Sequence, residues 1–338
     1  MYDKLPSEIV DNYIARAERY NERSYENIGD SGLKTSKFAL GMWQGFGDID
    51  SYYHSERIIH ELFDIGINHF DLGNNYGRPP GTAEEFMGKL LSKGFSKYRN
   101  EIILTTKAGY DMWPGPLGRG SSKKYLISSL NDSLKRLNTD YVDVFYSHCY
   151  DNTTPLWETA EALAHILDSG KALYIGISSY SLESALELRS ILSRYNKRIL
   201  VNQCNFSILC KWPKKEFENS NMAIGAFSPL AQGLLTSKFI DNNVFRNSMS
   251  NEYKTKKVSR TLLLLNELAK EYGRNIEQLA FDYIFSHSFV SYAAIGLSSH
   301  SNLQFYKEYI HNPLSSDQIK KVEEVVGDTV VDIWQSEK

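Results

Sequence analysis

Short apolar runs and amphipathic stretches alternate along most of this chain. Runs rich in β-branched and aromatic residues fall at 38–43, 67–72, 101–107, 141–147, 172–177, 199–204, 222–227 and 291–296. Their length and composition predict buried strands. Helix-period stretches follow at about 54–65, 82–94, 121–137, 155–169, 181–194, 259–272, 275–286 and 300–310. In 121–137, Leu126, Ile127, Leu130, Leu134 and Leu137 share one face, which suits packing against a sheet. Thr82 with Glu85 reads as a capping box, and Gly66 and Gly170 read as helix stops. Regular strand–helix alternation implies a parallel sheet, and eight units imply closure. The expected fold class is therefore α/β, a (β/α)8 TIM barrel.

Three segments depart from a minimal barrel. Asp30-Ser31-Gly32 between short strand-like pieces predicts a hairpin at 24–39. Between Lys211 and Asn221 there is room for only a turn or two, so the sixth helix should be stunted. The polar stretch 240–258 reads as a long loop after the seventh strand. The expected organisation is one barrel domain over 1–338, with an N-terminal extension at 1–23 and a C-terminal segment at 311–338.

Composition narrows the function. Of 338 residues, 42% are hydrophobic and 23% charged, an ordinary globular balance with ample core. A net charge of -3 gives no electrostatic footprint for nucleic acid or an anionic membrane. The longest apolar runs, such as Leu262 to Leu265, fall far short of a membrane span, and the start lacks the layout of a secretory signal. Three cysteines, Cys149, Cys204 and Cys210, show no metal-ligand spacing, so reduced thiols, a cytoplasmic location and no metal are expected. Cys149 beside His148 is a nominal nucleophile, but a small packing residue is the favoured reading.

The chemistry gathers at the strand ends. Asp71, Tyr76, Lys107 and His148 lie at or just beyond the ends of the second, third and fourth strand runs. Polar groups at the carboxyl ends of successive parallel strands converge in a barrel. A phenol becomes a general acid near neutral pH if a nearby ammonium lowers its pKa from ~10. A buried aspartate would keep that ammonium charged, and a histidine would orient a carbonyl. Taken singly, Asp71 reads as a loop cap, Lys107 as a barrel-end ion pair and His148 as a satisfied core histidine. Together at consecutive strand ends, they point to proton donation during hydride transfer to a carbonyl.

Longer motifs carry a resemblance. They include His69-Phe70-Asp71-Leu72 through Tyr76-Gly77, Pro79-Pro80-Gly81, Thr106-Lys107-Ala108-Gly109-Tyr110-Asp111-Met112-Trp113-Pro114 and Tyr146-Ser147-His148. Gly176-Ile177-Ser178-Ser179-Tyr180-Ser181 and Pro229-Leu230-Ala231-Gln232-Gly233-Leu234-Leu235-Thr236 belong to the same set. From about Glu18 to Gln335 the chain resembles the aldo-keto reductase superfamily, in particular the bacterial L-glyceraldehyde 3-phosphate reductases and, next, the beta subunits of voltage-gated potassium channels. The resemblance implies a hairpin that closes the barrel underneath and makes Tyr76 the proton donor, tuned by Lys107 and Asp71, with His148 orienting the carbonyl. It assigns the nicotinamide carboxamide to Ser178, Ser179 and Gln203, and ring stacking to Phe227. Ser228, Leu230, Gln232, Gly233 and Lys238 fall to the pyrophosphate, with 240–258 as a cofactor loop. Arg246 takes the 2′-phosphate of NADP, and Trp43, Asp71, Pro229, Gly296, Ser298 and Asn302 complete the cofactor set. Trp43, Tyr76, Arg78, Trp113 and His148 frame the substrate pocket.

Three departures from that pattern stand out. Ser299, Asn302, Phe305 and Tyr306 occupy positions where relatives hold the adenosine half, which implies a grip shifted toward aromatic packing. Phe206-Ser207 replaces a Tyr-Asn pair, and Arg78 replaces a proline. The implied function is NADPH-dependent reduction of a small aldehyde or ketone, glyceraldehyde 3-phosphate-like or methylglyoxal-like, with NADH still open. The alternatives are a nucleotide-binding redox sensor or regulatory subunit, and a biosynthetic reductase of a specialised sugar or metabolite. The expected partner is a small carbonyl compound, with no nucleic acid or membrane, and a homo-oligomer is left open.

Overall fold

The computed structural model describes residues 13–21, 23–242, 244–245, 249, 251–297 and 303–332. A two-stranded antiparallel hairpin, β1 (Tyr25–Asn27) and β2 (Lys34–Ser36), precedes the barrel. Eight parallel strands then follow in chain order: β3 (Phe38–Gly41), β4 (His69–Asp71), β5 (Ile103–Ala108), β6 (Val142–Ser147), β7 (Ala172–Ser178), β8 (Ile199–Asn205), β9 (Ile224–Phe227) and β10 (Val290–Ile295). β10 pairs with β3, so the sheet closes into a barrel. Every expected strand is present. Their ends lie within two residues of the apolar runs, because ladder pairing, and not hydrophobicity, sets where a strand stops.

Helices α1 (Tyr52–Asp64), α2 (Thr82–Ser92), α3 (Lys123–Leu137), α4 (Leu156–Asp168) and α5 (Leu182–Ser193) cover the first five crossovers. α6 (Trp212–Phe217) is the stunted sixth. α7 (Ser237–Asn242) and a short 3-10 turn at Asn251–Tyr253 interrupt the segment read as one loop. α8 (Lys256–Glu271), α9 (Ile276–Phe285), α10 (Leu303–Glu308) and α11 (Ser316–Val326) follow. The last falls in the C-terminal segment, where a Ser315–Gln318 capping box starts it. Among the described residues no helix is long and apolar enough to cross a membrane.

Local expectations were met unevenly. Leu126, Leu130, Leu134 and Leu137 of α3 are buried as a stripe. Gly66 and Gly170 end α1 and α4 at φ of 84° and 71°, a region open to a residue without Cβ. The Thr82–Glu85 capping box is a misreading. Gly81 holds the N-cap position, and the Thr82 hydroxyl turns back to donate to the Pro79 carbonyl at 2.7 Å. Tyr306 does not reach toward a cofactor either. It is buried on the outer wall of the barrel, 5.1 Å from Phe38 between ring centres, while Phe305 packs 5.6 Å from Phe281. The barrel's outer layer takes the Tyr306 ring, while Phe305 stays half-buried.

The hairpin seals the lower end of the barrel. Ile28, in its turn, is fully buried with Ala39, Ile103, Val144, Tyr146, Val201 and Tyr292, a cluster distinct from the main core outside the strands. Thr35 Oγ1 meets His69 Nδ1 at 3.2 Å inside that seal. The N-terminal stretch binds the barrel wall: Tyr13 stacks on His60 at 3.7 Å and donates to Asp64 at 2.9 Å, and Arg19 and Tyr20 both reach Glu101.

His69 gives the barrel a pH dependence. Burial pushes its pKa from 6.5 down to about 4, against the opposing pull of Asp71. Between those values the unfolded chain binds the extra proton and the folded one refuses it, so stability rises with pH there. The contribution is complete above pH 6.5, declines as the pH falls and is gone below about 4. For this fully buried group it is on the order of 3 kcal/mol. Urea unfolding of wild type and His69→Gln at pH 7 and pH 5 should show a steeper fall in wild type. Equal slopes would remove His69 as the cause.

Candidate active site

The upper end of β4, β5 and β6 brings four ionisable side chains into one cluster. Side chains alternate between the two faces of a strand, so Thr105 and Lys107 of β5 point inward together. Asp71, at the end of β4, lies opposite Thr105 in the ladder. Lys107 Nζ is fully buried, 2.6 Å from Asp71 Oδ2 and 2.7 Å from the Leu72 carbonyl. Thr105 donates to the other Asp71 oxygen at 2.7 Å, so the carboxylate is held at both ends. Tyr76 comes from the loop after β4. Its hydroxyl lies 3.5 Å from Lys107 Nζ and 3.4 Å from His148 Nε2, and His148 directly follows β6. Tyr110 packs edge-on against the His148 ring at 4.7 Å, which fixes the plane of the imidazole.

The electrostatics correct one expectation. Lys107 was expected to draw the Tyr76 phenol down. Instead burial pushes it well above its usual value, and Asp71, Tyr110 and Tyr292 add to the rise. Tyr76 is only half-buried, yet the groups packed around it deny a phenolate its solvation. Tyr76 therefore rests as a neutral phenol, with a proton to give. Burial lowers Lys107, while Asp71 and Glu84 oppose that shift. Glu84 is fully buried, ion-paired to Arg136 at 2.7 Å. Burial, and then the Lys107 charge, hold His148 well below its usual value, so its imidazole is neutral. Burial raises the Cys149 thiol to about 11, which agrees with the reading of a packing residue.

The other expected residues sort by position. Ser178 ends β7 opposite Gln203 of β8, and the Ser179 amide donates to the Gln203 carbonyl at 2.9 Å. Phe227 ends β9 and is half-buried. Ser228, Ala231, Gln232 and Gly233 all have φ between 47° and 94°, three of them non-glycine residues. The turns close on themselves in part: the Ala231 amide donates to the Ser228 carbonyl at 2.8 Å and the Gly233 amide to the Leu230 carbonyl at 2.9 Å. Pro229 is buried, Leu230 is half-buried, and Lys238 is exposed on α7. Gly296 follows β10 and is exposed. Arg246, Ser298, Ser299 and Asn302 lie outside the described residues.

At the rim, Trp43 and Arg78 are exposed, and the Trp43 carbonyl accepts from Gly77 at 3.4 Å. Trp113 is exposed too, 5.5 Å from the Tyr125 ring. The Tyr125 hydroxyl bridges Tyr110 and Asn74, which links Trp113 to the loops that carry the cluster. Four further residues, Thr105, Tyr110, Tyr146 and Tyr292, belong to the site and were missed. Thr105 was visible as the residue two before Lys107. Tyr146 and Tyr292 were signalled by Gly176 and Gly225, since a glycine inside a strand marks a close approach.

Comparison with known proteins agrees with this geometry. L-glyceraldehyde 3-phosphate reductase of Escherichia coli (strain K12) is 39% identical over 340 residues, covering 96% of this chain and 98% of that protein. A probable voltage-gated potassium channel subunit beta of Arabidopsis thaliana is 30% identical over 329 residues, covering 92% and 97%. A putative subunit of the same kind from Schizosaccharomyces pombe is 29% identical over 330 residues, covering 90% and 94%. The sequence pattern of the Aldo/keto reductase family matches residues 37–326. With a closed eight-stranded barrel and these matches along nearly its whole length, the chain belongs to the aldo/keto reductase family of oxidoreductases.

Proposed function

We propose that this protein reduces a small aldehyde or ketone with NADPH, and that Tyr76 delivers the proton to the carbonyl oxygen. The observation that carries the reading is the contact of a neutral phenol with both a buried ammonium and a neutral imidazole. A hydrogen-bond donor pair at one oxygen position stabilises the negative charge that develops on a carbonyl during reduction. Tyr76 then gives up its proton, and Lys107, at 3.5 Å, steadies the phenolate left behind. Asp71 keeps Lys107 charged at that moment, and His148 orients the carbonyl through Nε2.

The cofactor fits the residues present. The Ser228 and Gln232 side chains and the exposed Lys238 would meet a pyrophosphate, Ser178, Ser179 and Gln203 offer polar atoms for a carboxamide, and Phe227 offers a ring face. When bound, the reduced nicotinamide supplies the hydride. Arg246 is the residue we assign to the 2′-phosphate, through a charge-assisted contact. Trp43, Arg78 and Trp113 would bound the substrate, and the name of the Escherichia coli relative suggests a phosphorylated three-carbon aldehyde.

A second reading, a redox-sensing regulatory subunit, draws on the similarity to the channel subunits. Cofactor consumption separates the two. Incubation with glyceraldehyde 3-phosphate, methylglyoxal and a panel of simple aldehydes, followed by absorbance of NADPH or NADH, should give many turnovers per protein and faster use of NADPH. A single slow turnover across the panel would favour the sensor.

A further inference from the structure

Beneath the catalytic cluster two tyrosines cross the inside of the barrel. Tyr146 comes from β6 and Tyr292 from β10, four places apart around eight strands and so on opposite walls. Their hydroxyl oxygens meet at 2.9 Å, and both side chains are fully buried. Two glycines make room for them. A Cβ on Gly176 of β7 would lie 2.4 Å from Tyr146 Cε1, and one on Gly225 of β9 would lie 2.3 Å from Tyr292 Cζ. Gln203 of β8 donates from Nε2 to the Tyr292 hydroxyl at 3.0 Å. On the other side, Lys107 Nζ sits 5.6 Å from the centre of the Tyr146 ring.

Apolar side chains would fill this space without two hydroxyls to desolvate, and a buried hydroxyl is costly unless it is hydrogen-bonded. The pair therefore calls for a polar role. A glutamine amide at a site edge can turn over and exchange its oxygen and nitrogen ends at little cost. With the Tyr292 O–H donated to Tyr146, one of the two directions open to that pair, Tyr292 can only accept from Gln203, and the nitrogen is committed to it. That leaves Oε1 as the end presented to a ligand.

We propose that the Tyr146–Tyr292 pair is a positioning device that locks the Gln203 amide, so that Oε1 accepts from the carboxamide NH2 of the nicotinamide. The inference rests on the assignment of Gln203 above and deepens it. It also connects the two halves of the site, since the rings that orient Gln203 lie under Lys107.

The test uses two ligands, NADP+ and its 3-acetylpyridine analogue, in which a methyl replaces the carboxamide NH2. Affinities are read by quenching of protein fluorescence in the full-length chain. Tyr292→Phe keeps the ring but removes the acceptor for Gln203. It should weaken NADP+ by about 3–10-fold, the worth of one neutral hydrogen bond, and leave the analogue within about twofold. Tyr146→Phe should move the same ratio in the same direction by a smaller factor, and it decides the matter if Tyr292→Phe does not fold. Equal weakening of both ligands would mean that the tyrosines only support the barrel, and no weakening would also overturn the proposal. Gln203→Leu separates the two layers of inference. If it leaves the ligand ratio at the wild-type value, the assignment of Gln203 itself is wrong. If it collapses the ratio while both tyrosine variants do not, only the positioning role falls.

Discussion

Tyr76→Phe is expected to lower carbonyl reduction by ~10²–10⁴-fold, the usual worth of a positioned general acid. Nucleotide affinity should change little. The substitution removes one oxygen and keeps a ring that packs against His148 at 5.5 Å and near Lys107 at 4.9 Å. Burial and Asp71 hold the phenol well above its ordinary value, so Tyr76 stays protonated through the neutral range. The alkaline limb of the wild-type profile of kcat/KM should therefore lie above ordinary tyrosine ionisation, and Tyr76→Phe should erase it. Single-turnover rates across pH, with cofactor affinity measured in parallel, check both halves. Wild-type turnover in the variant would mean that another group donates the proton.

The order of the barrel was legible because a closed parallel sheet makes each strand a continuous apolar run and each helix a one-sided stripe. The four clustered residues were legible for a related reason, since strand ends are where polar side chains become affordable in an otherwise apolar period. What escaped detection depends on contacts between distant parts of the chain. Thr82 has the composition of a capping residue, but the Pro79 carbonyl offers its hydroxyl a better geometry. Tyr306 sits at a position that pattern alone would give to a ligand, yet Phe38, 268 places earlier, claims the ring. The Tyr146–Tyr292 contact joins strands on opposite walls, and its local signs were two strand glycines, Gly176 and Gly225. The rise in the Tyr76 pKa was likewise hidden, because burial, which no motif reports, outweighs the neighbouring charge.

Lys107→Met should cost about 10²–10³-fold in turnover, the scale of removing one preorganised donor from a developing oxyanion. It should also destabilise the fold, because Asp71 would keep a buried carboxylate with Thr105 as its remaining side-chain donor. Breaking a buried ion pair from one side costs ~3–5 kcal/mol. Asp71→Asn should be milder in turnover, since Lys107 keeps the Leu72 carbonyl at 2.7 Å and its place 3.5 Å from Tyr76. The reason for expecting coupling is geometric: Asp71 makes its hydrogen-bonded contact with Lys107, and Lys107 is the group that reaches the Tyr76 hydroxyl. The double variant should therefore be scarcely slower than Lys107→Met alone, because once the ammonium is gone the carboxylate has no charge to hold in place, and its direct effect is only to keep Tyr76 protonated. Urea unfolding of all three variants separates loss of folded protein from loss of rate, with kcat taken per folded molecule. Strictly additive losses would show that Asp71 and Lys107 act on the reaction independently, and the claim that one works on Tyr76 through the other would then fail.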